Sequence, residues 1–396
     1  MTAPTGDASR AAAVGSGGTS EGSPASDPLG EGTSQASPAW GKVLVTGGSG
    51  FLGLEICRQL VARGTEVVSF TRRPSAELER LGVAQRHGDL TDAAALAEAV
   101  AGCAAVIHNA ALAGVSGPLR PYWATNVAGT RTVLAQCLAH GVRTLVNTST
   151  ASVVFRPGGL ENADHHSPYP RRHLAAYPLT KARGEALVLA ANGRSLATVS
   201  LRPHLIWGPG DPHFTPALVR AARGGRLLMP GDGSNLVDST HVRTAAHAHL
   251  LALDLLHERR PIGGRAYFVS QGEPRPLRDL ATSLLAAAGV RAEWRGLPAH
   301  LVRGVAAVRE AAAGVTRASG THGLSRFLVA ELTHPHWFDL AATRRDLGFV
   351  PPVTLADGLA DLARRNEPPS STRPPETPAS PDSPDSPDAP EPRSTG

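Results

Sequence analysis

Short apolar runs alternate with stretches of helical periodicity through the middle of the chain. Val43-Leu44-Val45 reads as a buried strand, and Leu54–Arg63 as a helix closed by Gly64. Glu66–Phe70 and Ala84–His87 predict two further strands, Ala93–Ala101 a helix, and Ala104–His108 a fourth strand. Thr125–His140 predicts one long helix ended by Gly141, followed by a strand over Thr144–Asn147. Alternation of this kind argues for an α/β, doubly wound parallel sheet with right-handed crossovers. Ligands of such sheets sit at the carboxyl ends of the strands.

The ends of the chain break the pattern. Residues 1–39 are mostly Ala, Gly, Ser, Thr and Pro, too poor in bulky apolar groups to offset the entropy of ordering. They predict a disordered tail, or the product of an upstream start codon. Residues 367–396 repeat Ser-Pro-Asp and Pro-Glu pairs and predict a second, Pro-rich disordered tail. Composition narrows the classes further. The formal net charge of +5 is spread along the chain without a basic run interleaved by aromatics, so no nucleic acid is expected as partner. The three cysteines, Cys57, Cys103 and Cys137, lie in apolar periodic segments and read as buried free thiols of a reducing, cytoplasmic protein. No run approaches the roughly 20 apolar residues of a membrane span, and no secretory signal pattern opens the chain.

Chemistry concentrates at the predicted strand ends. After the first strand, Gly47, Gly50 and Gly53 fall at G-x-x-G-x-x-G spacing, with Phe51 and Leu52 opening the helix. Glycines allow a turn that side chains would block, and the helix N-terminus offers unpaired N–H groups to a pyrophosphate. The second strand is followed by Arg72-Arg73, where a carboxylate would instead suit the ribose hydroxyls of NAD. Guanidinium groups pair with phosphate through fork-shaped hydrogen bonds, so NADP(H) is favoured and NAD(H) is the alternative. Asp89-Leu90, after the third strand, can meet the adenine, and Asn109-Ala110-Ala111, after the fourth, lets a cofactor lie on the backbone.

Tyr177 and Lys181 stand four apart and share one helical face. The ammonium is expected to lower the phenol pKa, and the phenol to exchange a proton with a carbonyl or alcohol oxygen. A hydroxyl from Thr148-Ser149-Thr150 would polarise that oxygen.

These segments, T-G-G-S-G-F-L-G (46–53), H-N-A-A (108–111), N-V-A-G-T (126–130), T-S-T-A-S-V (148–153), Y-P-L-T-K (177–181) and L-R-P-H-L-I-W-G-P-G-D (201–211), occur in order. Together they resemble the extended short-chain dehydrogenase/reductases, in the branch of the 3β-hydroxysteroid dehydrogenases and nucleotide-sugar epimerases. The resemblance implies a Rossmann-type domain over 40–204 with the catalytic Tyr and Lys. It implies a smaller α/β, mainly substrate-binding part over 205–366, with some segments returning to the sheet. It places the catalytic hydroxyl on Thr150 with Ser149 in reserve, gives Asn126 a supporting role, and puts Pro203 beside the cofactor. It also implies pro-S hydride transfer and a homodimer formed through helices. The runs 201–213, 231–240, 266–274 and 325–338 carry a closer likeness, to the subgroup of 2-alkyl-3-oxoalkanoate reductases. That likeness implies an NADPH-dependent reduction of a lipid-like 3-keto acid; the alternatives are a 3β-hydroxysteroid or sterol dehydrogenase, a nucleotide-sugar epimerase, or a non-catalytic NADP sensor.

Other features are open. Arg243 is expected to form a structural salt bridge or to recognise a substrate carboxylate. His165, His166 and His173 read as a solvated loop flanking the substrate, with no metal expected. Leu297–Ala318 reads as an amphipathic lid helix or a membrane-surface contact.

Overall fold

Runs of buried apolar residues form the centre of the main sheet, as the computed structural model shows for residues 41–316 and 323–366. The two expected tails, and Arg317 and Ala318, lie outside the described residues. The strands are β1 (Val43–Thr46), β2 (Val67–Thr71), β3 (Ala84–His87), β4 (Ala105–His108), β5 (Thr144–Thr148), β6 (Ala197–Pro203) and β7 (Ala266–Val269). They pair in the order β7-β6-β5-β4-β1-β2-β3, every pair parallel. The chain runs outward from β1 to β3, then returns to place β4 on the other side of β1. That reversal opens a crevice at the carboxyl ends of β1 and β4, as in Rossmann-type sheets.

Both faces of the sheet are covered, which is why β1 and β4 are buried at every residue. One face packs Leu52, Ile56 and Leu60 of the helix Phe51–Ala62 together with Ala245, Leu250 and Leu253 of the helix Val242–His257. The other packs Leu96, Val133, Cys137 and Val188. All three cysteines are free and buried.

The expected single helix over Thr125–His140 is corrected. An α-helix over Leu119–Trp123 widens into a π-turn at Ala124–Gly129 and resumes as α-helix over Thr130–Ala139. The widening falls where the helix Ala176–Ala190 leans on it: a Cβ at Gly184 would lie 2.5 Å from the Asn126 carbonyl oxygen. Single π-turns of this kind gather at functional sites.

After β6, the helix Val242–His257 and β7 join the main sheet, while other segments build small sheets. Leu160–Ala163 joins His336–Phe338, Leu236–Val237 and Arg275–Pro276 in one of four strands. Glu293–Leu297, Arg226–Pro230 and Ala222–Arg223 form another. Leu218, Leu227, Leu277 and Leu284 supply a separate apolar cluster there. The helix Ala299–Thr316 leaves Leu301, Val305 and Val308 exposed. Among the described residues, no helix is long and apolar enough to cross a membrane.

Candidate active site

The crevice is a cavity of about 250 Å³ lined by Gly47, Gly50, Arg72, Asp89, Leu90, Asn109, Ala110, Ala111 and Leu112, among others. Its floor is built for close backbone approach. Gly47 has φ +70°, and a Cβ there would meet the Ala110 Cα at 2.8 Å. A Cβ on Gly53 would lie 2.1 Å from the Gly47 carbonyl oxygen. Gly50 is the helix N-cap and has no side chain to satisfy the N–H groups of the first turn, which stay available to an anion. Leu52 is buried in the core and Phe51 is packed against it, and neither is among the residues lining the cavity. Gly53→Ala is therefore expected to weaken dinucleotide binding by about tenfold or more, roughly 1.4 kcal/mol. A titration of nicotinamide fluorescence, with circular dichroism showing the fold retained, checks it.

A buried network holds the crevice's wall. The Thr46 hydroxyl accepts from the backbone N–H of Asn109 and of Ala110, each at 3.1 Å, and lies 2.9 Å from His108 Nδ1. His108 Nε2 is 3.0 Å from Thr130 Oγ1. Burial first, then the Lys181 charge, pushes the His108 pKa down to about 3, so the ring is neutral. Nothing local in the sequence marks His108 for this part.

Of the arginine pair, Arg72 lines the crevice, while Arg73 is exposed beyond the lining. Asp89 accepts from the N–H and hydroxyl of Thr91, which hold its carboxyl below the usual range; Arg72 adds to the effect. Pro203 ends β6 and is not among the residues lining this cavity.

Beside the crevice, Lys181 Nζ donates to the Thr148 carbonyl oxygen at 2.7 Å, at the end of β5. Burial lowers the Lys181 pKa to about 8, with the Glu185 charge opposing. Tyr177 departs from expectation. Burial drives its pKa up to about 12; the hydrogen bond with Thr150 lowers it, and Glu331 and Tyr122 raise it. The phenol is thus protonated at neutral pH, and Lys181 is not what sets its titration. Thr150 caps the turn Ala151–Val154, accepting from Ser152 N–H at 3.3 Å. Ser149, the reserve candidate, has a buried hydroxyl with no partner among the described residues. Thr150 is the hydroxyl that acts on Tyr177; Ser149 is not joined to them.

Asn126 is committed to the scaffold. Its amide accepts from Leu112 N–H at 2.8 Å and donates to the Leu112 carbonyl at 3.0 Å and to Thr180 Oγ1 at 3.1 Å. It thereby ties the crevice-lining Leu112 to the helix that carries Tyr177 and Lys181. Two further residues escape the sequence pattern. His249 Nε2 sits 2.8 Å from Thr148 Oγ1, and burial lowers its pKa to about 4. Ser152 Oγ is 3.0 Å from Glu331 Oε1, a residue inside the 325–338 run.

The remaining expectations resolve as follows. Arg243 is exposed, its carbonyl accepting from Gln59, and it makes no ion pair among the described residues, so the expected salt bridge is absent. His165 stacks at 6.3 Å on Tyr267 and 3.8 Å from the His166 ring. Among the described residues, no group of three or more His, Cys, Asp or Glu side chains is disposed to hold a metal.

A doubly wound sheet, a crevice floored by glycines and a Thr-Tyr-Lys group beside it are those of a nucleotide-dependent oxidoreductase of the extended short-chain type. The model of the 3-beta hydroxysteroid dehydrogenase/isomerase family matches residues 44–298, and the chain belongs to that family. It is 47% identical over 324 residues to a 2-alkyl-3-oxoalkanoate reductase of Stenotrophomonas maltophilia, covering 81% of this chain and 98% of the relative. It is 37% identical over 326 residues to a 2-alkyl-3-oxoalkanoate reductase of Shewanella oneidensis, covering 80% and 84%. Among solved structures, MoeE5 in complex with UDP-glucuronic acid and NAD is similar, with TM-score 0.64 and 26% identity over 82% of this chain and 98% of that one. The protein is an NAD(P)-dependent oxidoreductase acting on a small molecule.

Proposed function

We propose that this protein is an NADPH-dependent reductase of the 3-keto group of a 2-alkyl-3-oxoalkanoate or a similar β-keto lipid. One observation carries it: Tyr177 with Thr150 as its hydroxyl neighbour, and Lys181 one turn on and anchored on Thr148, stand beside a crevice that Arg72, and no carboxylate after β2, guards. The 47% identity to a reductase so named, over 98% of its length, supports the substrate class.

The residues suit the cofactor. Gly47, Gly50 and Gly53, with the first-turn N–H groups, would hold the pyrophosphate, Arg72 the 2′-phosphate, and Asp89 and Leu90 the adenine side. When bound, the cofactor supplies the hydride for the ketone carbon. Tyr177, a phenol held well above its ordinary pKa, gives its proton to the ketone oxygen as negative charge develops there. Thr150 polarises the same oxygen, and Lys181, anchored on Thr148, keeps a positive charge behind the pair below about pH 8. Asn126 orients this helix rather than touching the substrate. Exposed Leu119, Trp123 and Leu138 on the adjoining helical run support a homodimer. The three free, buried cysteines support a reducing, cytoplasmic compartment, and exposed Leu301, Val305 and Val308 support peripheral lipid contact and with it a lipid-like substrate.

The test follows nicotinamide absorbance with a 2-alkyl-3-oxo acid and NADPH, beside NADH and a 3β-hydroxysteroid with NAD. Turnover of the keto acid with NADPH is expected, and steroid oxidation alone would refute the reading. Arg72→Ala is expected to raise the KM for NADPH by roughly 10–100-fold, the worth of one charge-assisted hydrogen bond, and to leave NADH nearly unaffected. Equal losses with both cofactors would reassign Arg72.

A further inference from the structure

The turn after β5 presents two hydroxyl groups side by side. Thr150 faces Tyr177, and Ser152, whose N–H the Thr150 hydroxyl caps, places its Oγ 3.0 Å from Glu331 Oε1. Glu331 arrives from the distant helix Arg326–Thr333, which is pinned to this region at two points. Ser325 Oγ donates to the Val115 carbonyl at 2.6 Å, and Phe327 meets Phe155 edge-on at 6.0 Å. Phe327 and Glu331 are four apart, so the same helical face that packs on Phe155 delivers the carboxyl. Its charge reaches Tyr177, whose pKa it raises. Among the described residues, no Lys, Arg or His pairs with it. A carboxyl group 179 residues along the chain from Ser152 has been brought to that hydroxyl, beside the proton donor.

We propose that Glu331 is a specificity-determining residue: as a neutral carboxylic acid it donates a hydrogen bond to the carboxylate beside the substrate ketone, an inference resting on the β-keto acid reading above. Ser152 satisfies Oε1, and Oε2 carries the proton toward the substrate. An acid–carboxylate bond of this kind is charge-assisted and short. Ketones lacking the carboxylate leave the acid without that partner, which discriminates against a plain ketone or a sterol. Once ionised, Glu331 repels the same substrate. Burial favours the neutral form, raising the Glu331 pKa to about 7, with Ser152 opposing.

The other charged and titratable groups around it are few. Tyr177 and Lys181 come from the helix Ala176–Ala190, and Tyr122 from Leu119–Trp123. Glu310, on the helix Ala299–Thr316, is paired with Arg326 at 2.5 Å. Arg303, Arg309 and Arg226 are exposed. His334 and His336 lie past the end of Glu331's own helix; His336 is held neutral by burial, with a pKa of about 4. Lys181 also loses its charge in this range and then holds an anionic substrate less well than an ester, so the comparison of the native enzyme with Glu331→Gln, in which Lys181 is common to both, isolates Glu331.

The experiment uses a stable 2-alkyl-3-hydroxyalkanoic acid and its methyl ester, oxidised with NADP+. The ratio of KM for the acid to KM for the ester is expected to rise about tenfold between pH 6 and pH 8.5 in the native enzyme, following one ionisation. Glu331→Gln, which keeps a donor and cannot ionise, is expected to flatten that ratio. Calorimetry of acid binding to the NADP-loaded native enzyme at pH 8, in buffers of different ionisation enthalpy, is expected to show uptake of a proton that the ester does not cause. A ratio independent of pH, an equal slope in Glu331→Gln, or no proton uptake overturns the assignment while both compounds still turn over. If neither compound turns over and a 3β-hydroxysteroid does, the β-keto acid reading falls, and this inference with it.

Discussion

Tyr177→Phe is expected to lower kcat for ketone reduction by about 10²–10⁴-fold, the usual worth of a positioned general acid. The substitution removes one oxygen and leaves a ring of the same shape packed 6.4 Å from Tyr122. Cofactor affinity should barely change, because Tyr177 is not among the residues lining the glycine crevice. Stopped-flow single turnovers and a fluorescence titration of the cofactor separate the two quantities. A variant that keeps native turnover would remove Tyr177 from the chemistry. The pH profile adds a second constraint. With a pKa of about 12, the phenol stays protonated through the working range, so its own ionisation does not limit reduction near neutrality. Lys181, lowered to about 8, does lose its charge there. The rate should therefore fall as pH rises above about 8.

The parts of the site carried by one local pattern were legible in the sequence. The strand–glycine–helix unit shows itself because turn chemistry and periodicity occupy a dozen consecutive residues. Tyr177 and Lys181 show themselves because a helix puts residues four apart on one face. Spacing says nothing of burial, however, and burial decides the phenol: desolvation of Tyr177 reverses the shift that the nearby ammonium suggests. Partners far apart in sequence were illegible for the same reason. His249 on Thr148, 101 residues away, and Glu331 on Ser152 are set by how helices dock on the sheet, not by any neighbour in the chain. Asn126 is expected in a supporting role from its motif, but the partners through which it braces the site, Leu112 and Thr180, and the π-turn around it have no compositional signal. Strands of two residues, such as Leu236–Val237 and Ile206–Trp207, are shorter than any alternation that could announce them.

Arg202→Met is expected to destabilise the protein by about 3–5 kcal/mol, the cost of leaving one partner of a buried ion pair alone. Arg202 lies on β6 and Glu185 on the helix of Tyr177 and Lys181; they are 4% and 1% exposed. The guanidinium makes three contacts with the carboxylate, at 2.7, 3.0 and 3.2 Å, and the Tyr169 hydroxyl donates to the same carboxylate at 2.6 Å. Tyr169 and Phe268 also flank the guanidinium, with centroids 5.8 and 5.5 Å away. Methionine fills much of the volume but leaves the Glu185 charge desolvated, with Tyr169 as its hydrogen-bond donor. Thermal unfolding should shift down by on the order of 10 °C. Adding Glu185→Gln removes the stranded charge and keeps an acceptor for Tyr169, so the double variant should regain most of the loss. The pair also reaches the chemistry, since Glu185 stands one turn beyond Lys181 and raises its pKa. In the double variant Lys181 should therefore lose its proton below pH 8, and reduction should decline at a lower pH than in the native enzyme. A single variant that unfolds within a degree of the native protein would show that the pair is dispensable. A double variant with an unshifted pH profile would show that Glu185 braces the helix without tuning its lysine.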